Sequence, residues 1–118
     1  MTVRNLLRVT GLLEGGTAMA LLLLPAIPLQ LLFGQAPATE FGLLVGRLAG
    51  AALLSLAIAC WWAAAASDVV RAMLLYNAVI IGLLLHARIG LGLSGIALWP
   101  VLIVHALLAG WCVVGLRH

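Results

Sequence analysis

Long hydrophobic stretches separated by short polar breaks run along almost the whole chain. Their approximate bounds are residues 6–27, 41–62, 69–87 and 96–116. A helix rises about 1.5 Å per residue and the hydrocarbon core of a bilayer is about 30 Å thick, so about 20 residues span it. The pattern therefore predicts an all-α membrane protein, in which residues 1–118 form one antiparallel bundle of four transmembrane helices.

Turn and capping residues mark the three breaks. Residues 28–40 are expected to form a turn in which Thr39 caps the second helix. Asp68 precedes Arg71 by three residues, a pairing that suits the opening of the third helix. Residues 88–95 are rich in glycine and predict the last turn.

Composition excludes the water-soluble classes of protein. Hydrophobic residues make up 66% of the 118 residues and charged residues only 8%, against about 45–50% and about 25% in globular proteins. The mean hydropathy is +1.30. The six basic residues are all arginines that stand singly, with no basic run for nucleic acid.

The arginines instead indicate orientation. Four spans place both termini on one side, and the arginines expected there are Arg4, Arg8, Arg71 and Arg117, whereas Arg88 lies at the opposite end. The positive-inside rule then predicts cytoplasmic termini. Aromatic residues are expected at both interfaces: Trp61, Trp62 and Trp111 inside, and Phe33, Phe41 and Trp99 outside. A cleaved signal peptide is the alternative for the first stretch, but that stretch is long and contains Glu14.

Polar residues inside the spans are the candidate functional residues, because ionisable groups in a bilayer are costly unless they are paired or face a cavity. Depth counted along the helices places Glu14 and Asn77 close in height to Arg47 and His105. We predict an intramembrane polar cluster of these four residues, built on an ion pair between Glu14 and Arg47. Tyr76 also needs a partner for its hydroxyl.

Small residues predict where the helices approach each other. One face of the first helix is small and polar, and consists of Thr10, Gly11, Glu14, Thr17 and Ala18. In the second span a glycine ladder is formed by Gly42, Gly46 and Gly50. We expect the ladder to make the closest helix contact, and any outward glycines to serve self-association or docking on a larger membrane complex.

No cofactor or metal is expected. His86 and His105 lie on neighbouring helices but differ in depth by roughly 9 to 14 Å, which argues against shared axial ligation of haem. The ligand set for zinc is missing. Cys60 and Cys112 are expected to be buried free thiols, with a disulfide or redox pair as the alternative.

The residues LLRVTGLLEGG, GRLAGAALLSLAIACWW, LLYNAVI and LWPVLIVHALL together resemble small four-helix bacterial inner-membrane proteins of the DoxX-like layout. That resemblance implies a four-helix bundle in a bacterial inner membrane and no agreed activity. The length, the four spans and Glu14 also look like the small multidrug resistance transporters. Arg47 and the span VVRAMLLYNAVIIGLLLHA depart from that family's pattern.

Two classes of function follow. The first is a non-enzymatic accessory or structural membrane protein in which the polar cluster is architectural, since no catalytic constellation is present. The second is a proton-coupled transporter or a binder of a lipophilic ligand such as a quinone that uses Glu14, with a pocket near Tyr76, Trp99 and His105.

Overall fold

The structure, a computed structural model, describes residues 2–63 and 66–118. Its helices are α1 (Val3–Leu23), α2 (Ala26–Phe33), α3 (Glu40–Trp62), α4 (Ser67–Leu85) with a π-helical turn (His86–Gly90), and α5 (Leu98–Arg117). The chain is 83% helical with no strand among the described residues, which confirms the all-α class. By length and composition, α1, α3, α5 and α4 with its π-helical turn are each apolar enough to cross a membrane.

The connection between the first two spans differs from the prediction. The first span ends at Leu23 rather than at residue 27, and part of the predicted turn forms α2. Pro25 ends α1, while Pro28 lies in the first turn of α2, where an N–H would have no acceptor within the helix. Gly34, at φ 79°, ends α2 in the left-handed conformation. Pro25 and Pro28 thus both lie at the start of a short helix.

The predicted helix starts are confirmed. Thr39 caps α3, because its hydroxyl accepts a hydrogen bond from the Gly42 N–H at 3.1 Å. At the start of α4, Arg71 lies 3.3 Å from Asp68 in an exposed ion pair. Exposed pairs of this kind contribute little to stability, so the pair marks the helix start rather than holding the bundle.

Helices α1 and α3 form a close antiparallel pair. A methyl carbon added at Gly50 would lie 2.9 Å from Leu21 Cβ and 3.0 Å from the Ala18 carbonyl. Farther along the pair, one added at Gly11 would lie 3.1 Å from the Ala57 carbonyl oxygen. Of the predicted ladder, Gly50 makes this close contact with α1, whereas Gly46 lies against Leu29 and Pro25, and Gly42 lies against Pro37. Gly11 on the facing helix makes an equivalent close contact.

Helices α4 and α5 form the second antiparallel pair, and the two pairs meet at the end that carries both termini. The buried residues there are Leu6, Leu7, Cys60, Val70, Met73, Leu108 and Cys112. We call this region the packed half. Cys60 and Cys112 are free and buried within it, as predicted.

At the opposite end, the connection between α4 and α5 docks on α2. The Gly95 N–H donates to the Leu32 carbonyl at 3.1 Å, and the Ala97 N–H donates to the Leu31 carbonyl at 2.8 Å. Both carbonyls belong to the last turn of α2, where a helix leaves its acceptors without internal donors. Two backbone hydrogen bonds thus hold α2 across the end of the bundle.

Candidate functional site

A layer of polar side chains crosses the bundle next to the packed half. The Tyr76 hydroxyl donates to Glu14 Oε2 at 3.0 Å, and His105 Nδ1 lies 2.7 Å from Asn77 Oδ1. The rings of Tyr76 and His105 meet edge to face, with centroids 5.8 Å apart. We call these four residues, contributed by α1, α4 and α5, the polar layer.

The membership of this cluster corrects the sequence prediction for Arg47. Glu14 pairs with Tyr76, whereas Arg47 Nε donates to the Leu22 carbonyl at 3.3 Å. Within residues 2–63 and 66–118, the only ion pair closer than 4.0 Å joins Asp68 and Arg71. The predicted ion pair between Glu14 and Arg47 is therefore wrong.

Rotation about α3 explains the difference. Gly46 faces α2 and Gly50 faces α1, whereas Arg47 lies about 100° around the helix from Gly46, on the exposed side. From there its side chain reaches a carbonyl in the last turn of α1, where a cation also meets the negative end of the helix dipole. Counting residues along the span predicted the depth of Arg47 in the membrane, but not the side of α3 on which its side chain lies.

An apolar cavity of about 490 Å³ lies on the other side of the polar layer from the packed half. Glu14, Tyr76 and His105 form its polar end. Its walls come from all five helices and consist of Leu13, Thr17, Leu21, Pro28, Leu29, Leu31, Leu32, Phe33, Leu53, Ile80, Leu83, Leu84, Ala97, Pro100, Val101 and Val104. Along α5 the lining runs from Ala97 to His105, a length of about 12 Å at 1.5 Å per residue.

Trp99 is not part of this pocket, contrary to the prediction that grouped it with Tyr76 and His105. Its side chain is 48% exposed, while its neighbour Leu98 is fully buried and Pro100 lines the cavity. Successive residues of a helix point about 100° apart, so Trp99 can lie at the depth of the cavity and still point away from it.

Sequence reasoning also missed the contribution of α2. Pro28, Leu29 and Phe33 cover the cavity at the end away from the polar layer. The sequence feature that could have indicated α2 is the apolar run between Pro25 and Gly34, because an exposed turn is seldom so apolar.

Four of the five residues of the small polar face of α1 are buried. Thr10 and Ala18 are fully enclosed, and Glu14 is 4% exposed. Thr17 lies on the exposed side of that face, where its hydroxyl donates to the Leu13 carbonyl and its side chain lines the cavity. Thr10 Oγ1 is buried with no hydrogen-bond partner among the described residues.

The described part of the chain contains no group of three or more His, Cys, Asp or Glu side chains placed to hold a metal ion. No protein-family model, no curated protein and no solved structure matches the sequence. The likeness to the DoxX-like layout stays a prediction, and the candidate function rests on the geometry of the cavity.

Proposed function

We propose that the protein is a non-enzymatic multi-pass membrane protein that binds a lipophilic small molecule in the cavity. The observation that carries this proposal is an apolar cavity of about 490 Å³ that ends on three polar side chains, Glu14, Tyr76 and His105. Small-molecule sites have volumes of roughly 300–1,000 Å³, with apolar walls and a few convergent polar groups. The cavity has this combination.

The distribution of arginines supports an orientation with both termini in the cytoplasm of a bacterial cell. Arg4, Arg8, Arg71 and Arg117 lie toward the end of the bundle that carries the packed half, and Arg88 lies toward the other end. Under the positive-inside rule the packed half is cytoplasmic. The cavity then lies in the outer half of the inner membrane.

The packed half favours binding over transport. Leu7, Met73 and Leu108 are buried beneath the polar layer and fill the route from Glu14 toward the terminal end of the bundle. A transporter that uses Glu14 needs access from that side as well. The arrangement therefore supports a site entered from one side, with Glu14 as part of the binding surface.

The cavity also distinguishes a binder from a purely architectural protein. A polar layer that only fixed helix register would be expected to pack on both sides, because interior voids forfeit dispersion contacts. Here one side of the layer is packed and the other is hollow. A lipophilic occupant would supply the missing contacts.

Photolabelling with a ten-carbon alkyl diazirine in lipid nanodiscs tests this proposal. Leu21 and Leu84 line the cavity but are only 7% and 4% exposed, so lipid at the outer surface does not reach them. We expect label on both residues in the wild type. Label confined to outward residues such as Leu75 and Leu107, which are 67% and 69% exposed, would refute the proposal.

A matched pair of variants on α5 controls the experiment. Val101→Phe places a ring in the cavity, and Val114→Phe makes the same change on the exposed side of the helix. The first variant should lose label at Leu84, and the second should keep it. Equal labelling of Leu84 in the two variants would show that the probe reaches it by another route.

Self-association, or docking on a larger membrane complex, remains part of this proposal. Its support is that Gly16, Gly82 and Gly110 are exposed and an added methyl would meet nothing within 4 Å. Small outward residues allow close contact between helices in lipid. Crosslinking in nanodiscs of increasing size, compared with a Gly110→Leu variant, tests for such a contact.

A further inference from the structure

The hydrogen bonds of the polar layer fix which nitrogen of His105 carries its proton. Asn77 Nδ2 donates to the Met73 carbonyl at 2.7 Å. A carbonyl can only accept, so the amide nitrogen must face Met73 and the amide oxygen must face His105. That oxygen also only accepts, so His105 Nδ1 is the donor in the 2.7 Å contact.

His105 Nε2 is therefore left as an acceptor. In the neutral imidazole the second nitrogen carries a lone pair, and no carboxylate lies within 4.0 Å of His105 among the described residues. His105 lines the cavity, and its Nε2 has no protein partner in the described chain. It is also not fully enclosed, since the only enclosed and unpaired polar side-chain atom described is Thr10 Oγ1.

Tyr76 adds no donor to the cavity. The single hydroxyl proton of Tyr76 is directed to Glu14 Oε2. Glu14 Oε1 has no partner within residues 2–63 and 66–118, and the carboxyl group accepts hydrogen bonds when it is ionised and carries one donor when it is protonated. The cavity thus ends on an imidazole lone pair beside the carboxyl group of Glu14.

We infer that the occupant of the cavity is a lipophilic alcohol or phenol whose hydroxyl donates to His105 Nε2. This inference rests on the proposed function, since it names the chemical class of the same ligand. A quinone, ketone, ester or ether has acceptors only and would leave His105 Nε2 buried and unpaired against another acceptor. At His105 Nε2 a hydroxyl head group is therefore favoured over the oxidised quinone head that the sequence left open.

An isosteric pair of probes tests the inference. 1-Decanol and 1-methoxynonane have the same number of non-hydrogen atoms, but only the alcohol has a donor. Each is titrated against alkyl diazirine labelling of Leu84 in nanodiscs. We expect the alcohol to displace the label at about tenfold lower mole fraction than the ether, the effect of one buried acceptor left unpaired.

His105→Phe should remove the preference for the alcohol over the ether. His86→Phe should keep it, because His86 is exposed and does not line the cavity. If His105→Phe does not fold, ¹⁵N spectra of the wild-type imidazole provide the second measurement. We expect a protonated Nδ1, and an Nε2 resonance that shifts with decanol but not with the ether. A protonated Nε2 would overturn the inference.

The two proposals fail in different ways. Absence of diazirine label at Leu84 refutes the binding function itself. Label at Leu84 that both probes displace equally, or that neither displaces, leaves a lipophilic site but refutes a donor head group.

Discussion

The Tyr76 hydroxyl donates to Glu14 Oε2 at 3.0 Å, a contact between residues 62 positions apart. It joins α1 of the first helix pair to α4 of the second, next to the packed half. On one side of this bond the helices meet through buried aliphatic side chains, and on the other they line the cavity. The hydrogen bond between Tyr76 and Glu14 thus lies between the packed half and the cavity.

Glu14 should couple energetically to Tyr76 and not to Arg47. In a double-mutant cycle of Glu14→Leu and Tyr76→Phe we expect a coupling of about 1 kcal/mol, in the range of interhelical hydrogen bonds in membrane proteins. The free energies come from steric-trapping measurements of unfolding in bicelles.

The companion cycle of Glu14→Leu and Arg47→Met serves as the control. Its two changes should add to within about 0.5 kcal/mol, because Arg47 bonds to the Leu22 carbonyl instead. A larger coupling in this cycle than in the first would contradict the geometry of the polar layer.

The all-α class and four span-length helices followed from the sequence because hydrophobic length sets the number of spans and composition excludes a soluble fold. Thr39 and Asp68 marked helix starts for equally local reasons, since a cap and an i, i+3 pair depend only on neighbours. Gly50 was recognised as a close contact because lipid-embedded helices approach through small residues.

The partners of Glu14 did not follow, since they depend on how each helix is rotated. Arg47 and Trp99 stood at plausible depths, yet a rotation of about 100° per residue turned both away from the cavity. Tyr76 was predicted to line a pocket and to need a partner for its hydroxyl, but the sequence did not identify Glu14 as that partner. Helix α2 was missed because Pro28 in a first turn is compatible with a helix, whereas a proline in sequence more often predicts a break.

Thr10→Val should leave the protein as stable or make it more stable. Thr10 is fully buried and its hydroxyl has no partner among the described residues, so removing the hydroxyl relieves an unpaired polar group. We expect a gain of up to about 1 kcal/mol in the free energy of unfolding.

Thr17→Val is the comparison for that change, because the Thr17 hydroxyl bonds to the Leu13 carbonyl at 2.9 Å. It should give no such gain. Marked destabilisation by Thr10→Val in the same unfolding assay would indicate that this hydroxyl has a partner after all.

Gly50→Ala should separate α1 from α3. The new methyl would lie 2.9 Å from Leu21 Cβ and 3.0 Å from the Ala18 carbonyl, and a backbone oxygen cannot move without its helix. Overpacking of this kind costs typically about 1–3 kcal/mol.

Gly110→Ala makes the same change on α5, where nothing lies within 4 Å of the added methyl. We expect an effect within about 0.5 kcal/mol. Thermal unfolding of both variants in nanodiscs, followed by tryptophan fluorescence, measures the difference. Equal midpoints would refute the close contact between α1 and α3.

Gly95→Ala should release the connection between α4 and α5 from α2. An added methyl would overlap the Leu31 carbonyl and would lie 2.7 Å from the Leu32 carbonyl carbon, so the backbones must part. The two hydrogen bonds from Gly95 and Ala97 would then be lost, at a cost of about 1–3 kcal/mol for the pair. Because α2 covers the cavity, its release should also let water reach the outer end of the site.

Hydrogen exchange at the Ala97 amide reports this opening directly. We expect exchange to become faster in Gly95→Ala and to stay slow in Gly82→Ala, where the added methyl meets nothing within 4 Å. Unchanged protection of Ala97 in Gly95→Ala would mean that this connection does not hold α2 in place.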